Sequence, residues 1–277
     1  MERKSYWLLL LPGICLLTTT LIIPLLSMIR LSFGDGTWSL EAYRTFLSDP
    51  FYQKIMFRTI KVSLITTLLT VILGLPTAYV ISQAKSKHKG LLMATILFPL
   101  LTNAVVRSFA WMNMLGKKGV INSLLLKMGL ISEPLSLMYS ELAITIGSVY
   151  LFLPVMVTSL VPVLEQIPPA YFEAAESLGA KEGTVFLKII LPLTFPGLMV
   201  GSVLVFTGTM SAYTTPSLLG GNQNMMLSTL VYQQANQLSN WTQASLLAFI
   251  MILISLLMMK GMAFLEKRFD ERSYDER

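Results

Sequence analysis

Charged residues are scarce in this sequence, and their scarcity defines the class of protein. Asp, Glu, Lys and Arg make up 13% of the 277 residues, while hydrophobic residues make up 54%. Because charged residues form about a quarter of an ordinary soluble domain, this composition excludes an ordinary soluble protein. The longest stretch without any charge runs from Ile189 to Met259. The sequence therefore predicts an all-α polytopic membrane protein.

Residues that carry common catalytic chemistry are also missing. The single cysteine, Cys15, excludes an intrachain disulfide, and the single histidine, His88, cannot form a His-Glu-x-x-His metal site. The sequence contains neither the phosphate-binding pattern Gly-x-x-x-x-Gly-Lys-Ser/Thr nor the nucleophile pattern Gly-x-Ser-x-Gly. We therefore expect a chain that is not an enzyme, has no metal site and holds no cofactor. Its net charge of +6 indicates basic residues that flank membrane spans, not a nucleic-acid surface.

The uncharged stretches predict six membrane spans within one transmembrane domain, 1–277. A helix needs about 20 apolar residues to cross a hydrocarbon core of about 30 Å. The last uncharged stretch is longer, and the polar segment from Pro216 to Gln243 divides it. The predicted spans are approximately 7–29, 60–82, 91–113, 142–163, 192–215 and 244–264. Because no alanine precedes Ala42, an Ala-x-Ala cleavage site is absent and the first span is expected to remain as an anchor.

The distribution of lysine and arginine predicts that both termini lie in the cytosol. Basic residues cluster before the first span, between the second and third spans, and after the last span. The opposite connections also contain basic residues, for example Arg44 and Lys118, so the charge bias is moderate.

A short polar segment, 164–191, separates two long apolar stretches and carries strong turn signals. Pro168 and Pro169 suit the first turn of a helix, since that turn does not need their missing N–H groups. Gly179 lies where this helix should end in a left-handed cap. A second helical segment should then lead from about Lys181 to Pro192. The pattern predicts helix, tight turn and helix at the membrane surface; an amphipathic interfacial helix without a partner is the alternative.

This segment closely resembles the EAA loop of permease subunits from binding-protein-dependent ABC importers. The matching positions are Glu173, Ala174, Ala175, Gly179, Ile189, Leu191 and Pro192. The resemblance implies the type I ABC importer permease fold with six transmembrane helices in a bacterial inner membrane. It also implies a cytoplasmic coupling loop that docks on an ATPase subunit through Glu173, Ala174, Ala175, Leu178 and Gly179. The implied partners are an ATPase dimer that binds ATP and Mg²⁺, a second permease subunit and an extracytoplasmic solute-binding protein.

Other stretches resemble the spermidine/putrescine permease group of the same family. They are 99–111, 119–122, 213–221 and 234–241. The resemblance implies a polyamine as the solute. Iron, phosphonate, thiamine and opine-like solutes are alternatives, and so is a non-transporting assembly subunit that recruits an ATPase.

Polar residues within or beside the spans are candidates for lining a solute path. These candidates are Asn103, Arg107, Tyr150, Thr209, Ser211 and Tyr213. Counting from Gly90 along a straight helix places Arg107 about 25 Å across the membrane, where it could line the path or anchor at the interface. Because the stretch from Ile189 to Met259 lacks carboxylates, we expect weak binding of a cation in transit.

Overall fold

The computed structural model describes residues 12–34 and 39–275. Within these ranges it leaves out the side chains of Glu176, Glu182 and residues 265–275. The beginning of the predicted first span, residues 7–11, lies outside the described residues.

The described chain folds into helices joined by short connections. We number them α1 Pro12–Ser32, α2 Glu41–Ser48, α3 Pro50–Gln83, α4 Ser86–Leu101, α5 Ala104–Leu115, α6 Val120–Lys127, α7 Glu141–Glu165, α8 Ala170–Ser177, α9 Gly183–Leu193, α10 Phe195–Ser211, α11 Thr214–Gly220, α12 Leu227–Tyr232 and α13 Trp241–Asp275. A π-helical turn, Gln233–Gln237, continues α12.

Among the described residues, four helices are long and apolar enough to cross a membrane: α1, α3, α7 and the Trp241–Phe264 part of α13. Two bent pairs raise the number to six if each pair forms one span. One pair is α4 with Ala104–Lys127, bent by 94°, and the other is α9 with α10, bent by 69°. The prediction of a helical protein with six spans agrees with this upper count. The exact span boundaries stay a prediction.

The third predicted span, 91–113, is not one straight helix, which the count from Gly90 assumed. The chain bends between Leu101 and Ala104, and Asn103 caps the new helix by accepting from the Val105 N–H at 2.9 Å. A residue's depth therefore cannot be obtained by counting along a continuous helix from Gly90.

The helix that contains the predicted span 60–82 begins earlier, at Pro50. The Asp49 carboxylate accepts from the Phe51 N–H at 2.8 Å, and Pro50 occupies the first turn, where its missing N–H has no cost. These local signals start the helix before its apolar part.

Helices α3, α7 and α10 form the centre of the bundle. Val62 packs with Ile144 and Gly74 lies against Met156, so α3 and α7 run parallel. Gly197 lies against Val163 and Gly208 against Phe152, so α10 runs antiparallel to both. A Cβ at position 74 would lie 2.7 Å from the Met156 Cγ, which shows that glycine permits this close helix approach.

A second apolar cluster joins the short helices α2 and α12 to α3 and α13. Phe46 and Leu227 are fully buried in it, together with Leu246 and Leu247 of α13. The Ser32 and Tyr43 hydroxyls lie 2.6 Å apart and connect the end of α1 to α2. This cluster lies at the opposite end of the bundle from the Glu-Ala-Ala segment, since α2 leads into the first turn of α3.

Candidate functional site

The segment between α7 and α10 forms the predicted helix, turn and helix. Helix α8 follows the two prolines directly, with the Tyr171 N–H donating to the Pro168 carbonyl at 3.2 Å. The Phe172 N–H donates to the Pro169 carbonyl at 2.9 Å. The prolines therefore supply carbonyl acceptors to the first turn and require no donor bonds of their own.

Gly179 closes α8 in the left-handed conformation, as predicted. Its φ is +72°, and the Ala180 N–H donates to the Ala175 carbonyl at 3.0 Å. This bond from the second residue beyond the helix to its last turn is typical of a Schellman cap. A Cβ built at position 179 meets no atom within 4 Å. The requirement for glycine here therefore comes from the backbone angle and not from crowding.

One face of α8 is exposed among the residues that the structure describes. Leu178 is 88% exposed, and Glu173 and Ala174 are also exposed. Ala174 and Leu178 lie four residues apart, on the same side of the helical turn. Leu178 is thus a large aliphatic side chain with almost no contact to the described part of its own chain. We call Glu173, Ala174 and Leu178 the exposed coupling face.

Ala175, which the resemblance assigns to the coupling contact, packs against its own chain. Its side chain is only 6% exposed and belongs to the same apolar cluster as Leu164, Val185 and Ile190. The physical reason is helical geometry, since one residue of rotation from Ala174 turns the side chain by about 100° towards the bundle. Ala175 therefore attaches α8 to its own chain.

The segment after Gly179 connects α8 to the helices of the bundle. The rings of Tyr79 in α3 and Phe186 in α9 meet edge to face, with centroids 5.8 Å apart. They line a cleft of about 540 Å³ together with Phe172 of α8. The chain then bends by 69° after Leu193, directly behind the Leu191-Pro192 pair of the motif. Helices α3, α8 and α9 are thus packed into one unit.

Arg107 has a role that neither sequence interpretation included. Its side chain is 8% exposed, and its Nη1 donates to the carbonyls of Pro99 at 2.7 Å and Thr102 at 3.3 Å. These carbonyls belong to the end of α4, where helical partners are missing. The guanidinium therefore holds the bend between α4 and α5.

The remaining path candidates lie in different surroundings. The Tyr150 ring meets Trp111 edge to face, with centroids 5.6 Å apart. Thr209 is fully buried, and its hydroxyl has no hydrogen-bond partner among the described residues. Ser211 is exposed and donates to the Thr207 carbonyl at 2.9 Å. The six candidates therefore do not converge on one pocket.

Tyr213 belongs to a polar pocket that sequence reasoning missed. Its ring stacks on Tyr232, with centroids 4.1 Å apart and an interplanar angle of 26°. The pair lines a pocket of about 50 Å³ together with Gln233 and Gln237. The sequence signal for this pocket is the polar, uncharged composition of Pro216–Gln243. From the sequence alone, this composition predicts only a division between two spans. The sequence does not show that Tyr232 is the partner of Tyr213, because the two residues belong to different helices.

A wide groove lies beside this pocket, between α10 and α13. It encloses about 730 Å³ and includes Thr207, Ser211, Ser228 and Ser255 among mostly aliphatic residues. Of the six path candidates, Ser211 lines this groove.

Comparison with known proteins agrees with this geometry. Residues 56–271 match the family described as "Binding-protein-dependent transport system inner membrane component". The spermidine/putrescine transport system permease protein PotB of Haemophilus influenzae is 31% identical over 245 residues, which cover 85% of each chain. The protein of the same name from Escherichia coli K12 is 33% identical over 210 residues, which cover 76% of each chain.

Solved structures show the same fold. A chain of the bacterial alginate ABC transporter, crystallised with its alginate pentasaccharide-bound periplasmic protein, aligns over 96% of each chain with a TM-score of 0.81. Because the sequence identity is only 18%, this comparison shows a shared fold and nothing more.

The chain belongs to the family of binding-protein-dependent transport system inner membrane components. It is a multi-pass inner-membrane permease subunit of the ABC importer class, as the resemblance implied.

Proposed function

We propose that this chain is a permease subunit of an ATP-driven polyamine importer, with spermidine and putrescine as its solutes. The observation that carries the solute assignment is the 31% and 33% identity to two spermidine/putrescine permeases across most of the chain. The observation that carries the coupling role is the exposed coupling face, where Leu178 is 88% exposed.

In this proposal the chain itself is not an enzyme and holds no cofactor. A separate ATPase dimer binds ATP and Mg²⁺ and docks on Glu173, Ala174 and Leu178. Leu178 would enter an apolar groove of the ATPase, and Glu173 would pair with a basic side chain. A second permease subunit and an extracytoplasmic binding protein complete the importer. Both termini then lie in the cytosol, because the coupling face must meet an ATP-consuming partner.

The packing of α8 supports transmission of motion into the membrane. Ala175 shares one apolar cluster with Ile190 of the π-helical turn in α9 and with Ala78 of α3. An ATPase that displaces α8 would therefore displace these segments with it. The glycine contacts of α10 with α7, such as Gly201 against Met156, permit close packing of smooth helix surfaces. We infer that the bundle tilts between inward-open and outward-open states by this route.

The tyrosine and glutamine pocket, with about 50 Å³, has the size and the chemistry for one ammonium group of a polyamine and not for the whole solute. An ammonium group binds to aromatic faces and to amide oxygens without a counter-charge. Tyr213, Tyr232, Gln233 and Gln237 supply these groups, and Ile189 to Met259 contains no carboxylate that would bind the cation tightly. Weak binding suits a path from which the solute must leave.

Reconstitution tests the proposal directly. Proteoliposomes would contain this chain, its second permease, the ATPase and the loaded binding protein, with ATP on the ATPase side. We expect uptake of labelled spermidine that unlabelled putrescine reduces and that iron, phosphonate or thiamine does not. Uptake of one of these other solutes in place of spermidine would contradict the polyamine assignment. Absence of any ATP-dependent uptake would contradict transport itself.

A further inference from the structure

A charged cluster lies at the end of the bundle opposite the coupling loop. Glu141 begins α7, whereas α8 follows the other end of that helix. The Arg58 Nε donates to the Glu141 Oε1 at 3.1 Å, and the Lys61 Nζ donates to the Oε2 at 2.9 Å. The Arg58 Nη1 also donates to the Met225 carbonyl at 3.2 Å. Arg58 therefore connects three segments, and its side chain is only 8% exposed.

The cluster contains more positive than negative charge. Lys54, Phe57, Arg58, Lys61 and Glu141 line a pocket of about 360 Å³. Both oxygens of the one carboxylate are already bonded to cations. The Lys61 side chain remains 62% exposed, and an ammonium has three donors, of which Glu141 uses one. Lys54 is exposed and forms no ion pair within the described part of the chain. The pocket therefore has donors available for an anion.

An exposed apolar stripe continues from the pocket along α3. Phe57 is 70% exposed, and it lies between Lys54 and Lys61 at the spacing of one helical face. The same face continues with Leu64, Leu68 and Ile72, which are 44%, 59% and 55% exposed. At about 1.5 Å per residue, Ile72 lies about 16 Å from Lys61 along the helix axis. This distance matches the depth of about one leaflet of the hydrocarbon core.

From this arrangement we propose that Lys54 and Lys61 bind the phosphate of an anionic phospholipid, with an acyl chain along Phe57, Leu64 and Leu68. Charge complementarity favours a single anionic headgroup, because the pocket has three cations and one carboxylate. The continuous apolar stripe favours a lipid over a protein carboxylate, which would not need a surface of that length. The placement in the outer leaflet rests on the proposed function, since it requires the coupling loop to face the cytosol. The binding of the headgroup itself does not depend on the proposed function.

Titration of the full chain with phosphatidylglycerol tests this proposal. Lipid adducts on the purified protein would be counted by native mass spectrometry for the unchanged chain and for Lys54→Gln with Lys61→Gln. Each basic residue near an anionic lipid surface contributes about fivefold in affinity, so we expect the double variant to bind about thirtyfold more weakly. Lys117→Gln with Lys118→Gln is the matched control, because both lysines are exposed and lie outside the pocket. This control should retain full binding.

The possible results separate the proposed lipid from other occupants. Equal affinity of the double variant and the unchanged chain, or an equal loss in both variants, would overturn the proposal. Complete displacement of the lipid by millimolar inorganic phosphate would show a free-phosphate site and overturn the role of the apolar stripe. A cross-link from Lys54→Cys to the binding protein or the second permease would show a protein interface there. Spermidine uptake in the same variants is measured separately, so a failure of the polyamine assignment leaves the lipid result interpretable.

Discussion

The Arg107 guanidinium donates to the Pro99 carbonyl at 2.7 Å across a bend of 94° between α4 and the following helical segment. The two residues lie on opposite sides of the Thr102-Asn103 break. Asn103 satisfies N–H groups at the start of α5, while Arg107 satisfies carbonyls at the end of α4. Both helix ends at the break thus have hydrogen-bond partners where water is scarce.

Replacement of Arg107 by Met should destabilise the protein. The substitution retains an apolar stem, removes the donor of the Thr102 carbonyl and leaves the Pro99 carbonyl with the Thr102 hydroxyl as its remaining donor. An unsatisfied buried polar group costs about 1–3 kcal/mol, so the melting temperature in detergent should fall by several degrees. Arg107→Lys should recover part of the loss, because one donor can still reach a carbonyl. An unchanged melting temperature combined with altered solute selectivity would instead support a path-lining role.

The effect of a substitution at Gly179 should depend on how readily the new residue adopts a positive φ. Its φ of +72° costs a residue with a Cβ about 1–2 kcal/mol, and asparagine less. We therefore expect Gly179→Asp to weaken ATPase association and uptake while membrane insertion continues, and Gly179→Asn to be milder. ATPase co-purification and spermidine uptake measure the effect.

Gly183→Ala is the control for the Gly179 variants. Gly183 begins α9, and a Cβ there also meets nothing within 4 Å. Because its backbone is helical, the alanine should leave ATPase association unchanged. A loss at Gly183 as large as that at Gly179 would contradict the argument from the left-handed angle.

Leu178 and Ala175 should show opposite effects on stability and coupling. Leu178→Ala removes an 88% exposed side chain, so the melting temperature of the isolated chain should stay within about 1 °C while ATPase association weakens. Ala175→Leu inserts a larger side chain into the Leu164 and Ile190 cluster and should cost about 1–3 kcal/mol of stability. Thermal unfolding and ATPase co-purification separate the two. Destabilisation by Leu178→Ala would show that this side chain packs within its own chain.

The Tyr213 ring should matter more for transport than its hydroxyl. Tyr213→Leu removes the stack on Tyr232 and the aromatic face available to an ammonium, so uptake of spermidine should fall. Cation–π contacts contribute about 0.5–2 kcal/mol, which corresponds to a loss of roughly two- to thirtyfold. Tyr213→Phe retains the ring and should retain most of the uptake. Equal loss in both variants would show that the hydroxyl carries the effect.

The coupling loop could be predicted from sequence because its signals are local. Pro168, Pro169 and Gly179 fix a helix start and a left-handed end without reference to distant residues. The structure confirms the glycine cap and the two helical segments. The inward position of Ala175 depends on where α3 and α9 pack, and one sequence does not contain that information.

The break in the third span could not be predicted from hydropathy, since an average over about 20 residues conceals two polar residues. Pro99 and Asn103 were present as signals, because Pro-rich ends and Asn caps mark helix boundaries. The continuous absence of charge from Gly90 to Val106 nevertheless predicts one uninterrupted span. The Tyr213 and Tyr232 stack requires a connection that brings α12 back to the end of α10, which only the tertiary structure shows.

The most direct test of the coupling role is cysteine cross-linking from α8 in the assembled importer. In a Cys15→Ser background, Leu178→Cys should form a cross-link to the ATPase subunit, while Ala175→Cys, which is buried in the chain, should not. Labelling of Leu178→Cys by a membrane-impermeant reagent from outside the cell, or no cross-link to the ATPase at all, would contradict the account.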